Sequence, residues 1–126
     1  MKALQILKTA YRATIEEQDD TIVWITHAMK GAGAELDVLL KGNAVNYAVA
    51  AQNAEGLSFG DWLQTQPPRL GRDIDTLIGK DVSVYAVDED VVERGLDGAE
   101  LVDGVKRIRR DDIASLVRNY DQVWQW

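Results

Sequence analysis

Three short apolar runs limit what this chain can become: residues 3–7 (Ala3, Leu4, Gln5, Ile6, Leu7), residues 35–40 (Glu35, Leu36, Asp37, Val38, Leu39, Leu40) and residues 82–87 (Val82, Ser83, Val84, Tyr85, Ala86, Val87). Their near-continuous apolar character suits strands buried on both faces of a sheet better than strands with one wet face. Parallel neighbours cannot be joined by a tight turn, so each pair needs a crossover, usually a helix.

The segments between the runs read accordingly. Glu16, Glu17, Asp19 and Asp20 open a stretch in which Ile15, Ile22, Ile25 and Met29 recur at helical spacing, and Gly31 and Gly33 offer a stop. Local propensity disagrees, because Thr21-Ile22-Val23-Trp24-Ile25-Thr26 is strongly β-prone. The need for a crossover decides for helix. Asn43 is placed to cap an alanine-rich helix reaching Gln52. Residues 55–72 break the pattern, with Pro67 and Pro68 adjacent, and Phe59, Trp62 and Leu63 suggest that part of this long connection packs. A short helix restarts at Asp73 and ends at Gly79.

Beyond the third run, the spacing predicts a helix over 88–93, a turn over 99–102, a strand over 105–109, a helix over 111–120 with Ile113, Leu116 and Val117 on one face, and a strand over 122–126. The order βαβαβαβαβ implies a three-layer α/β/α fold on a mostly parallel five-stranded sheet. With 126 residues, it is expected to form one domain, residues 1–126.

A formal charge of −7 makes nucleic acid and anionic lipid unexpected partners. The basic cluster Lys106, Arg107, Arg109 and Arg110 is interrupted by Ile108 and followed by Asp111 and Asp112, so it reads as a solvated strand edge or partner contact. No apolar run approaches the length of a membrane span, and the first twelve residues lack the pattern of an export signal, which points to the cytoplasm. Because the chain has no cysteine, disulfides, thiolate metal sites and persulfide carriage are excluded.

Candidate chemistry is sparse. His27, the sole histidine, has no identifiable orienting partner and reads as a packing or capping residue. Gly31-Ala32-Gly33 lies between a helix and a strand, the wrong place for a dinucleotide turn, and reads as a helix stop. Asp88-Glu89-Asp90 follows the third run, where open α/β sheets bind ligands. The three acids could hold a hard cation, but N-capping and a favourable helix dipole explain them more simply, and neither a metal nor a cofactor is expected. Lys8, Thr9, Gly42, Asn43, Val87, Asp88 and Asp90 would line the crevice at the strand ends.

VLLKGNAV at 38–45, VSVYAVDEDVVERGL at 82–96 and VKRIRRDDIASLVRNYDQVWQW at 105–126 together resemble the DsrE/DsrF/DsrH sulfur-relay family, which includes the TusBCD subunits. The resemblance spans nearly the whole chain. It implies a doubly wound sheet, assembly into trimers or hexamers and, in active members, a cysteine that passes on persulfide sulfur. That cysteine commonly ends the third strand; the matching residue here is Val87, with Asp90 at a second such position. With no thiolate to attack or store sulfur, carriage does not transfer to this chain.

The expected role is therefore a non-catalytic accessory or interaction subunit, a homo-oligomer or the companion of a cysteine-bearing relay protein. Trp24, Trp62, Trp124 and Trp126 are its candidate contact residues. The alternative is a small-ligand protein or cysteine-independent enzyme using the crevice around Asn43, Asp88 and Asp90 beneath residues 55–72.

Overall fold

The computed structural model describes residues 1–15 and 18–126. Five strands, β1 (Lys2–Leu7), β2 (Glu35–Leu40), β5 (Val84–Val87), β6 (Lys106–Ile108) and β7 (Gln122–Gln125), form one sheet in the order β6-β5-β2-β1-β7. All four pairings are parallel. The remaining strands, β3 (Ser58–Phe59) and β4 (Trp62–Leu63), make a separate hairpin. The helices are α1 (Thr21–Gly31), α2 (Leu70–Gly79), α3 (Asp88–Glu93) and α4 (Ile113–Val117), with 3-10 segments at Gly42–Ala48 and Arg110–Asp112.

Alternation along the strands divides the core into two unequal layers. Leu7, Val38, Leu40, Val84 and Ala86 meet residues of α1, α2, α3 and the first 3-10 segment on one face. Leu4, Ile6, Leu39 and Val87 point to the other, where α4 supplies Ile113, Leu116 and Val117. The chain moves in one direction from β1 to β6, and right-handed crossovers keep those connections on one face. The return to β7, through α4, crosses the other.

Two polar clusters tie these layers together. Asp37, buried on the α4 face, accepts from Tyr120 Oη at 2.7 Å, Lys2 Nζ at 2.9 Å and the Ser83 N–H at 2.8 Å. Burial pushes its carboxyl up, and these three donors more than reverse that, holding it below the usual carboxylate range. On the opposite face, Gln5 donates to Thr26 Oγ1 at 2.7 Å and accepts from Trp126 Nε1 at 3.0 Å, joining β1 to α1 and to the end of β7.

Several sequence expectations need correction. The first helix begins at Thr21, capped by Asp20, so Ile15 lies outside it and is exposed; Glu16 and Glu17 lie outside the described residues. In place of a helix from Asn43 to Gln52 there is a 3-10 segment ending at Ala48. Val49 bridges Leu101, the Ala50 N–H donates to Glu100 O, and the Val102 N–H donates to Ala48 O, so tertiary pairing draws the chain out of helical geometry. The long connection contains the β3–β4 hairpin, turning at Gly60 with φ +57°. Helix α2 starts at Leu70 rather than Asp73, and buries Leu70, Gly71, Ile74 and Leu77. Gly71 sits so close to Val49 that a Cβ there would lie 2.8 Å from its carbonyl oxygen. The third and fourth sheet strands are each shorter than expected, and the helix expected over 111–120 is α4 preceded by a 3-10 turn.

Candidate functional site

At the C-terminal strand ends, β1 runs into Lys8, β2 into Lys41 and Gly42, β5 into Asp88, and β6 into Arg109 and Arg110. Gly42, with φ +54°, packs against the Lys8 backbone; a Cβ there would lie 3.3 Å from the Lys8 oxygen. Its N–H donates to Asp90 Oδ2 at 2.8 Å. The other Asp90 oxygen accepts from Arg110 at 2.7 Å, and Arg94 lies 3.9 Å from it. Arg94 also donates to Asn43 Oδ1 at 3.0 Å and to the Asp90 carbonyl at 3.3 Å.

Lys8, Gly42, Asn43 and Asp90 are thus brought together, and Asp90 is the buried centre of the group. Burial raises its pKa, but the Gly42 N–H and the Arg110 guanidinium outweigh that, so it stays ionised below the usual range. Thr9 is exposed and hydrogen-bonds to none of these side chains. Asp88 turns aside to Arg107, at 2.6 Å. Val87 does not line the crevice: it is fully buried in the core layer under α4 with Leu4, Ile6 and Leu39. Strand parity explains the difference, since Val87 shares its face with Tyr85 rather than with Ala86.

The acidic turn is likewise dispersed. Asp88 meets Arg107, Glu89 accepts the Arg110 N–H at 2.8 Å, and Asp90 faces inward. None of the three caps α3 through a side-chain hydrogen bond. Among the described residues no group of His, Asp or Glu is arranged to hold a metal ion. Arg94 and Arg110, which close the crevice, were not among the sequence candidates. A signal existed for Arg94, one helical turn beyond Asp90, whereas the approach of Arg110 depends on β6 lying beside β5.

The basic cluster is largely consumed by the same ion pairs. Arg107 bridges Asp88 and Asp97, Arg110 bridges Asp90 and Glu93, and Lys106 donates to Ser83 Oγ. Gly31-Ala32-Gly33 ends α1, with the Ala34 N–H returning to Met29 O and Gly33 at φ +92°. His27 bridges elements: Nε2 lies 3.0 Å from the Asp73 carbonyl and Nδ1 lies 3.3 Å from Lys80 Nζ. Burial, assisted by Lys80, lowers its pKa against the raising effect of the Asp73 carbonyl. A neutral ring donating from Nε2 and accepting at Nδ1 satisfies both contacts.

A second polar site had no sequence signal. Gln18, Asp19, Thr65, Gln66, Arg69, Arg72 and Asp73 line a depression of about 500 Å³ beside the start of α2. Among the described residues Asp73 Oδ2 is buried without a hydrogen-bond partner, and a proton on Asp73 would allow a bond between its carboxyl and that of Asp19. Burial first, then that bond and the nearby Asp19 charge, push the Asp73 carboxyl up to about 7 against the opposing pull of Arg72.

An acid with a higher pKa folded than unfolded stabilises the fold fully below its unfolded value, near 3.8, and loses that contribution as pH rises to about 7. Asp73→Asn should therefore match the parent near pH 4 and exceed it by about 1–2 kcal/mol above pH 8, a figure discounted for partial exposure. Urea unfolding of both proteins across this interval measures the difference. A pH-independent difference would refute the assignment.

No protein-family model matches the chain, and no curated protein matches it in sequence. Solved structures do. The ychN protein from E. coli superposes with a TM-score of 0.74 at 15% identity, covering 100% of both chains. This chain has the DsrE-like fold. A conserved protein of unknown function from Bacteroides thetaiotaomicron, BT1422, superposes with a TM-score of 0.66 at 12% identity, over 98% of this chain and 94% of its own. MTH1491 from Methanobacterium thermoautotrophicum, also of unknown function, gives 0.66 at 10% identity, over 99% and 98%. At such identities the likeness carries the fold alone. Among the described residues no helix is long and apolar enough to cross a membrane.

Proposed function

We propose that this chain is a non-catalytic, DsrE-like interaction protein of the cytoplasm. It acts as a homo-oligomer, a trimer or hexamer, or as the accessory subunit of a cysteine-bearing sulfur-relay partner. The observation that carries the proposal is the contrast between its strand-end crevice and its outer surface. The carrier position is a fully buried valine, and Asp90, Arg94, Arg110 and Asn43 satisfy one another. Polar groups that a ligand would need are already engaged there.

The surface, by contrast, presents large apolar side chains. The β3–β4 hairpin displays Phe59 and Leu63, 59% and 64% exposed, with the Trp62 ring 5.7 Å from that of Phe59. Trp24, on α1, is also exposed. Aromatic residues in uncharged surroundings are the usual centres of protein interfaces. Native mass measurement at micromolar concentration is expected to show three or six copies, or a stable complex when a cysteine-bearing relay protein is added. A strict monomer that also fails to retain such a protein would end the proposal.

A further inference from the structure

The two edges of the main sheet are built differently. Strand β6 carries Lys106 and Arg107 and is followed by Arg109 and Arg110, the charged guard expected on an edge that must not pair. Strand β7 reads Gln122-Val123-Trp124-Gln125, with neither charge nor proline. Among the described residues its only sheet neighbour is β1.

Among the described residues, nothing pairs with the outer side of the β7 backbone. The Trp126 N–H donates to Ile6 O, and Trp126 O accepts from the Lys8 N–H, so both backbone groups of Trp126 face β1. Because these directions alternate along a strand, those of Trp124 also face β1, and the N–H and C=O groups of Val123 and Gln125 point outward. An apolar groove of about 720 Å³ runs along this edge, lined by Ile25 and Met29 of α1 and by Val123, Trp124 and Trp126. Val123 is 39% exposed and Trp126 42%.

We propose that β7 pairs antiparallel with β7 of a second copy across a twofold axis centred on Trp124. A second copy meets this geometry with its own β7. In that register Val123 stands opposite Gln125 of the other copy, so their outward groups exchange N–H···O=C bonds in the narrow-ring pattern of an antiparallel ladder. Trp124 stands opposite its own equivalent at a non-hydrogen-bonded position, where side chains come closest. The axis passes through the sheet, so each face stays continuous and the two grooves open toward each other.

Charge at this edge does not oppose a second copy. A chain of net charge −7 repels itself over most of its surface, whereas no side chain of residues 122–126 carries a charge. An isologous contact uses the edge up and closes at two copies, instead of growing into a filament. The tryptophans contribute on the order of 100 Å² each once partly buried. Even with both strands and the α1 flanks added, the contact stays near the lower end of specific interfaces, about 1,200 Å². Dimerisation is thus expected in the micromolar range.

The inference rests on the self-assembly proposed above and names one of its surfaces, the dyad that doubles whatever unit the other contacts make. The experiment is sedimentation velocity on the full chain and on Val123→Lys and Gln125→Pro, with circular dichroism to confirm folding and amide exchange at residues 123 and 125. Lysine places a guard on the edge, while proline removes an outward N–H that β1 does not use. The parent should contain an even number of subunits and protect both amides. Each variant should have half that mass and dissociate at least tenfold more readily, about 1.4 kcal/mol. A parent assembly unchanged by both variants, with both amides unprotected, would overturn the inference while leaving self-assembly intact. A parent that stays monomeric up to about 100 μM would overturn both. Protection that appears only when another protein is added would give the edge to a foreign strand and overturn the second copy as its occupant.

Discussion

Asp20→Ala is expected to cost about 4 kcal/mol and to lower the melting temperature by roughly 15 °C. The buried carboxylate performs two tasks. Its Oδ1 caps α1, accepting from the Ile22 N–H at 2.8 Å and the Val23 N–H at 3.2 Å. Its Oδ2 accepts from Tyr47 Oη at 2.6 Å, and that hydroxyl in turn accepts the Tyr11 N–H. Tyr47 is fully buried, so a lost acceptor cannot be replaced by water. A cap is worth about 1–2 kcal/mol, and a buried hydrogen bond to a charged group about 1.5–3. Asp20→Asn should lose roughly half as much, because the amide oxygen still caps the helix. Thermal unfolding followed by circular dichroism measures both. A shift below about 3 °C for the alanine variant would show that the network contributes little.

The same residue shows what was legible in the sequence. Acidic residues ahead of an apolar period announced the helix, but four stood within five positions, and the bonds from the Ile22 and Val23 N–H groups identify Asp20 as the cap. The conflict over residues 21–26 was resolved in favour of helix because β1 and β2 are parallel neighbours, a topological fact stronger than the local preference of Ile22, Val23 and Trp24. Where no such constraint acted, local preference misled. Alanines at 44, 48, 50 and 51 suggest a longer helix, yet pairing of residues 48–50 with 100–102 ends the 3-10 segment early. The hairpin had a local signal, Gly60-Asp61 between Phe59 and the apolar pair Trp62-Leu63, and each of its strands is only two residues long.

Of the crevice, the sequence identified the strand ends but not the directions of the side chains. Position along a strand assigns Val87 and Asp90 to the same neighbourhood, while parity sends one into the core under α4 and helix geometry turns the other toward Gly42. The Arg110 contact lies beyond any local pattern, because it joins residues brought together only by the β5–β6 pairing. The depression around Asp73 was illegible for the same reason: its walls come from the approach to α1, the segment after the hairpin and the start of α2.

Asp90→Ala is the sharpest test of whether the crevice is a structural closure. Removing this carboxylate leaves the Gly42 N–H without its acceptor and takes from Arg110 its closest partner, with Arg94 losing a more distant one. Taking one member from a buried charged pair commonly costs about 3–5 kcal/mol; the partial exposure of Arg110 reduces the expectation here to about 2–3 kcal/mol. Acid should produce a milder version of the change. Because the pKa of Asp90 is lower folded than unfolded, its contribution is present above about pH 4 and is lost as pH falls through the folded value. The parent-minus-variant stability should accordingly shrink on acidification and stay constant between about pH 6 and 8. Denaturant unfolding at several pH values measures this. A variant as stable as its parent at pH 7 would mean that Asp90 is held there for something other than the fold, and would return the crevice to consideration as a binding site.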